Sequence, residues 1–381
     1  MRALVLCLLL ARVASAQPID TFIAQKMEEA GIVGLGAAVI VDGKVVWTKG
    51  FGFADQRRGV PFRPDTVMNI GSITKTVTGV ALMRAVQEGK LSLDDDIGDH
   101  LPFRVIHPHH PDEKITLRHL ATHTSGIADR WAVYRDTYHY GDAPEPLGEF
   151  LKGYFVPGGK DYSKDNFLDK KPGTHREYSN IGAGLAGYIV EIAVGEKLET
   201  YAKKRIFTPL RMNDTAWSLS AVDPARHSKL YVAHKGLAIP IPLYEGTTYP
   251  DGGVRTSVSD LAKLFIALLN GGVYEGTRIL DESSVAEMLR FQFTAASKPE
   301  NVDLAEHNSG IFWRTKFNVT RVGHGGSDPG VQTEMLATLS KDVGVILFSN
   351  TSLSDDELRP FYSILNELFA YGASVRSSRS S

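Results

Sequence analysis

The chain has 381 residues, 43% of them hydrophobic and 23% charged. That balance is globular and excludes a collagen-like, mostly disordered or multi-spanning membrane chain. Lys and Arg number 42 against 44 Asp and Glu, which leaves no basic excess to hold nucleic acid or an anionic membrane.

Residues 1–16 read MRALVLCLLLARVASA. Arg2, the apolar run from Leu4 to Leu10 and the small-residue Ala14-Ser15-Ala16 form an export-signal pattern, with cleavage expected after Ala16. The run is far shorter than the roughly 20 residues needed to span a bilayer. A secreted or periplasmic protein with no stable membrane anchor is expected. The single cysteine, Cys7, would leave with the signal. The mature chain would then have no disulfide, no cysteine nucleophile and no cysteine-ligated zinc.

Ile19 to Ala30 carry apolar residues at helical spacing, stopped by Gly31. Leu35 to Val41 and Lys44 to Thr48 are β-like runs joined at Asp42-Gly43, a hairpin turn pair. Ser72 to Glu88 is a long helical pattern closed by Gly89. Residues 95–175 are loop-rich, and the aromatic group Trp131, Tyr134, Tyr138 and Tyr140 falls there, either as a pocket wall or as a packed satellite. Helical patterns follow at 181–194, 257–269 and 282–289. Gly310 to Arg314, Val331 to Leu339 and Val343 to Phe348 read as strands, the last two turned at Lys341-Asp342. Asp355 to Tyr371 is a closing helix, and the tail 373–381 has no apolar anchor and is expected to be disordered. Strands at both ends predict one sheet assembled from the two termini, interrupted by a mostly helical insert at about 76–255. One domain, 17–372, would hold it all.

Ser72 and Lys75 open the strongest helical pattern. Residues three apart share a helix face, so the hydroxyl and the amine point the same way. A serine becomes a nucleophile when a neighbour takes its proton, and a lysine does so if its surroundings lower its pKa. Ser-x-x-Lys is common by chance, and a helix cap explains Ser72 equally well. Two further groups add weight. Tyr178-Ser179-Asn180 precedes a helix and offers a phenol for proton transfer. His324-Gly325-Gly326-Ser327 precedes the strand from Val331, and its glycines let backbone approach a ligand closely.

With Ser72/Lys75, Tyr178/Asn180 and His324/Gly326 in this order, the chain resembles serine hydrolases of the class C β-lactamase and penicillin-binding-protein-like family. Segments 117–127, 172–191, 251–264 and 323–350 resemble it too. The resemblance implies an α+β fold, with an antiparallel sheet flanked by helices plus a mostly helical sub-domain. It implies that Ser72 forms an acyl-enzyme, that Lys75 and Tyr178 share the acid–base work, and that Asn180 orients Lys75 and substrate. His324, Gly325 and Gly326 would line the substrate, and the Ser327 and Ser72 N–H groups would form the oxyanion hole. The substrate would be a small ester, amide or peptide, with no cofactor.

The third motif departs from the family's Lys-Thr-Gly. A histidine is mostly neutral above its reference pKa of about 6.5, so position 324 lacks a fixed cation. His-x-Gly resembles the esterase and D-aminopeptidase-like branch more than efficient β-lactamases. A D-Ala-D-Ala carboxypeptidase or weak β-lactamase is the alternative, and an inactive binding protein the outside one. The histidines of 107–113, His119 and His123 read as a polar loop and a structural turn, with no metal expected, because the helical pair lacks the Glu of His-Glu-x-x-His. Nothing in the sequence fixes an oligomeric state.

Overall fold

A computed structural model describes residues 17–234 and 237–380. The expected export signal, residues 1–16, lies outside the described residues.

The chain opens with helix α1 (Gln17–Glu29) and the hairpin β1 (Gly34–Val41) and β2 (Lys44–Asp55), followed by the short β3 (Val60–Pro61). Asp42 and Gly43 both take positive φ, 47° and 71°, which is the backbone a tight hairpin turn requires. The helical part begins with α2 (Thr74–Gln87) and continues to α3 (Asn180–Val194), α4 (Val258–Leu269) and α5 (Glu282–Leu289). The last third returns to strands β4 (Arg314–Lys316), β5 (Arg321–Asp328), β6 (Val331–Thr338) and β7 (Val343–Ser349), and α6 (Asp355–Ser380) closes the chain.

The sheet has seven antiparallel strands in the order β4-β5-β6-β7-β1-β2-β3. The two termini meet where β1 pairs with β7, from Leu35 opposite Ser349 to Val41 opposite Val343. Strand alternation divides the core. Leu35, Ala37, Val39 and Val41 of β1 pack with Val345 and Leu347 under α1 and α6, whereas Ala38 and Ile40 join Ile346 and Phe348 in the larger cluster with the helical part. Both faces of the central strands are therefore covered.

Two expectations need correction. Residues 310–313 are not a strand. Phe312 has φ 47°, and the backbone N–H groups of Ile311 and Phe312 donate to Met288 and Ala121. That segment is hung on the helical part, and the sheet's edge strand starts only at Arg314. The tail 373–381 is not unstructured as far as it is described: α6 continues to Ser380. Arg376 reaches back to Asp42 and Asp342, at 2.9 and 2.8 Å, so a polar segment is anchored by charge instead of apolar area.

These two anchors differ in strength. Phe361 is fully buried between α6 and the sheet, so Phe361→Ala should cost about 3–5 kcal/mol. Arg376 is about half exposed, so Arg376→Ala should cost less than about 1 kcal/mol. Urea unfolding midpoints check both.

Candidate active site

Ser72 is half-buried in a single turn of 3₁₀ helix, Gly71–Ile73, that leads into α2. Gly71 has φ 53°, and its N–H donates to Asn69 Oδ1 at 2.7 Å. The turn is also tied to the sheet, since Thr333 Oγ1 of β6 donates to Ile70 O at 2.9 Å.

Lys75 is fully buried. Its Nζ donates to Ser72 Oγ at 3.1 Å, to Asn180 Oδ1 at 2.7 Å and to Asp251 O at 2.9 Å, and it lies 5.0 Å from the centroid of the Tyr178 ring. Three donors thus meet three acceptors. Burial works against the charge, but Tyr178, Asp251 and Asp129 outweigh it and hold the lysine above its ordinary pKa. The sequence left open a lysine tuned downward to act as base. The structure keeps it an ammonium.

The Tyr178 motif is placed by the start of α3. Ser179 caps that helix, accepting from Gly182 N at 2.8 Å. The Asp129 carboxylate receives Ser179 Oγ at 2.7 Å, Asn180 N at 2.7 Å and Ile181 N at 3.1 Å. A carboxylate at a helix N-terminus satisfies otherwise unpaired N–H groups. His123 packs against Tyr178 with ring centroids 4.3 Å apart and planes tilted by 34°, and its Nδ1 accepts from Ser179 N at 3.2 Å. Sequence reasoning missed Asp129 altogether and took His123 as a plain turn residue. The only signal for Asp129 was an acidic residue some fifty positions from the motif, in a loop.

His324 is buried in β5. Burial first, then the charges of Arg314 and Lys75, push its pKa well below the usual value, so it is neutral. Its Nδ1 lies 2.7 Å from Gly325 O. A carbonyl cannot donate, so the proton sits on Nδ1 and Nε2 carries the lone pair. Gly326 passes so close to the serine turn that an added Cβ would come within 2.2 Å of Ile70 O and 2.9 Å of Ser72 N. A Cβ on Gly71 would meet Ser327 N at 3.3 Å. The backbone at Ser72 and that at Ser327 therefore lie side by side.

This is an arrangement that can acylate a serine, and the beta-lactamase family profile matches residues 19–367. The chain belongs to the beta-lactamase family. The match to "Protein flp" of Staphylococcus aureus (strain MRSA252) is 27% identical over 250 residues, 65% of this chain and 47% of that protein. Esterase EstB of Burkholderia gladioli is 28% identical over 236 residues, 62% of this chain and 59% of the esterase. The chain thus spans about half the length of these curated relatives. The octameric penicillin-binding protein homologue from Pyrococcus abyssi superposes with a TM-score of 0.73 at 27% identity, covering 93% of this chain and 77% of that one.

On one side of Ser327 this beta-lactamase family member has a cavity of about 470 Å³, lined by Trp131, Tyr138, Tyr140, Ile241, Tyr244 and Asp328 among others. The aromatic group of the sequence is therefore divided: Trp131, Tyr138 and Tyr140 form a pocket wall, and Tyr134 is buried beneath it. Tyr134 donates to Asp251 Oδ1 at 3.0 Å and Tyr138 to Asp328 Oδ1 at 2.7 Å. Burial raises Asp251 to about 7, against the pull of Lys75, and Asp328 to about 6, against its bond from Tyr138. Neither carboxyl was singled out in the sequence.

Two outcomes follow. A folded-state pKa of about 7 for Asp251 against about 3.9 unfolded means that the folded state binds more protons between those values. Stability should fall as pH rises from about 4 to about 7 and then level. Asp251→Asn should flatten most of that slope in urea midpoints, with Asp328 retaining the lower part. Asp129→Ala should lower acyl transfer at Ser72 by about tenfold or more, equivalent to about 1.4 kcal/mol of barrier. Asp129→Asn, which keeps an oxygen acceptor, should recover much of it in steady-state rates.

Proposed function

We propose that the protein is a serine hydrolase that cleaves a small ester or amide through an acyl-Ser72 intermediate. One observation carries this: the Ser72 hydroxyl, a fully buried Lys75 and Asn180 are joined by hydrogen bonds of 3.1 and 2.7 Å beside the paired Ser72 and Ser327 backbone.

In this reading Tyr178 takes the serine proton. Lys75 is already an ammonium, so it has no lone pair to offer; its charge instead favours the phenolate form of Tyr178, which accepts the Ser72 proton and becomes a neutral phenol. Ser72 Oγ attacks the substrate carbonyl, and the oxyanion is received by the Ser72 and Ser327 N–H groups. Tyr178 returns the proton to the leaving group, and the same cycle run with water releases the acid. Asn180 fixes Lys75, and neutral His324 presents an acceptor where a family Lys-Thr-Gly enzyme has a cation. The apolar cavity of Trp131, Tyr138, Tyr140 and Tyr244 suits an uncharged acyl or aromatic group. That composition, and the likeness to an esterase at 28% identity, favour ester cleavage over β-lactam turnover. The pattern of residues 1–16 supports export, and N-terminal sequencing of the secreted protein should start at Gln17.

Initial rates on a short nitrophenyl ester, a D-alanyl amide and a chromogenic cephalosporin test the reading. Ester or amide turnover should vanish in Ser72→Ala, with the cephalosporin nearly silent. Equal rates for Ser72→Ala and the native protein would leave a binding protein instead. Fast cephalosporin turnover would move the assignment to a β-lactamase.

A further inference from the structure

Among the described residues, two guanidinium groups at the Tyr178 end of the cleft have no counter-charge bonded to them. Arg314 sits in β4 opposite Gly323, with its Cζ 5.8 Å from the Tyr178 ring centroid. Arg176 lies two residues before Tyr178, on the loop that enters α3. Both are half-buried. Among the described residues, the buried Nε and Nη2 of Arg176 and the buried Nε of Arg314 have no hydrogen-bond partner. Buried cations elsewhere in the molecule are treated differently. Arg255 also has an unpartnered Nε, but its two Nη atoms donate to the carbonyls of Trp217, Gly253 and Tyr244, and Lys316 is paired with Glu334.

The surroundings do not neutralise the pair. Arg176 is pushed down to about 10, first by burial and then by the charge of Arg314, with Tyr178 and the exposed Glu177 opposing. His307 is pushed down to about 3 by burial and by both arginines, and buried His123 and His324 are likewise held neutral. Lys75 adds a further positive charge nearby. Desolvated N–H groups left unpaired beside like charges are unfavourable, and an oxyanion removes both penalties at once. The planar fork of arginine suits two-point contact with a carboxylate or a phosphate.

We propose that Arg176 and Arg314 form a subsite for an anionic group of the ligand that occupies the cleft. The proposal rests on the acyl-transfer reading only in taking that ligand as a substrate. It makes the substrate bipolar, with an apolar part in the cavity of Trp131 and Tyr140 and an oxyanion beyond Tyr178.

Three matched nitrophenyl or phenyl esters test it: one neutral, one with a carboxylate in the acyl chain and one with a carboxylate on the leaving group. The double substitution Arg176→Gln/Arg314→Gln should lower kcat/KM for one anionic ester, relative to the neutral one, by tenfold or more. Arg176→Lys/Arg314→Lys should retain part of the preference. Unchanged ratios for both anionic esters would overturn the subsite. Ser72→Ala supplies a readout without turnover, namely its melting temperature with succinate, inorganic phosphate or sulfate added. Stabilisation by at least one anion should disappear when both arginines become glutamine, and the anion that stabilises most identifies carboxylate or tetrahedral chemistry. Equal stabilisation with and without the arginines, or none by any anion, overturns the proposal. If no ester is cleaved but the anion effect follows the arginines, the hydrolase reading fails and the subsite stands.

Discussion

A fully buried ammonium organises this molecule. Taking Lys75 out of water costs several kcal/mol unless its three protons and its charge are met inside. Ser72 supplies one acceptor, Asn180 the second and the Asp251 carbonyl the third. These come from the turn before α2, the first residue of α3 and a loop far along the chain. Each segment must reach its place for the cation to be tolerated, so one electrostatic requirement fixes three parts of the fold against one another. Asp129 extends the requirement outward by anchoring the start of α3, which is what puts Asn180 and Tyr178 on the correct sides of the lysine.

The second constraint is steric and belongs to the sheet. The strand β5 passes the serine turn at a separation that only glycine allows at position 326. The hydrogen bond from Thr333 to Ile70 sets that approach from the next strand. The central strands are buried on both faces, so a one-residue slip would force every side chain into the packing of the opposite face. The register of β5 is thus held by core packing, and with it the position of the Ser327 N–H relative to Ser72. A core made of Leu35, Val39, Val345 and Phe361 serves chemistry it never touches.

What was legible in the sequence follows from locality. The Asp42-Gly43 hairpin, the stop at Gly89 and the helix of 282–289 are set by neighbouring residues, and they are where the pattern put them. The motifs of Ser72, Tyr178 and His324 were legible because their order is specific, and the structure gathers them in one cleft. Residues 310–313 were misread because their apolar spacing is strand-like, whereas their N–H groups are claimed by Met288 and Ala121, distant in sequence. The tail was misread because composition does not reveal that Arg376 finds Asp42 and Asp342. The protonation of Lys75 was open for the same reason: its sign depends on Tyr178, Asp251 and Asp129 together, and none of those is a neighbour in the chain.

The exchange of lysine for histidine at position 324 has a physical reading in this setting. A lysine there would add a buried positive charge close to those of Arg314, Lys75 and Lys316. Like charges at such range disfavour one another strongly once water is excluded. A histidine avoids the conflict by staying neutral, and its surroundings hold it so. The positive charge of the cleft is thereby carried by β4 and by the loop before α3, one strand outward from where the family's lysine stands. The same shift leaves the region beside Ser327 to aromatic rings and two carboxyls that burial brings close to neutral pH. A cleft polarised in this way, apolar and weakly acidic on one side and cationic on the other, selects the orientation of a bound molecule before any bond is broken. Holding a reacting carbonyl in the right orientation can remove about 7–11 kcal/mol from a barrier.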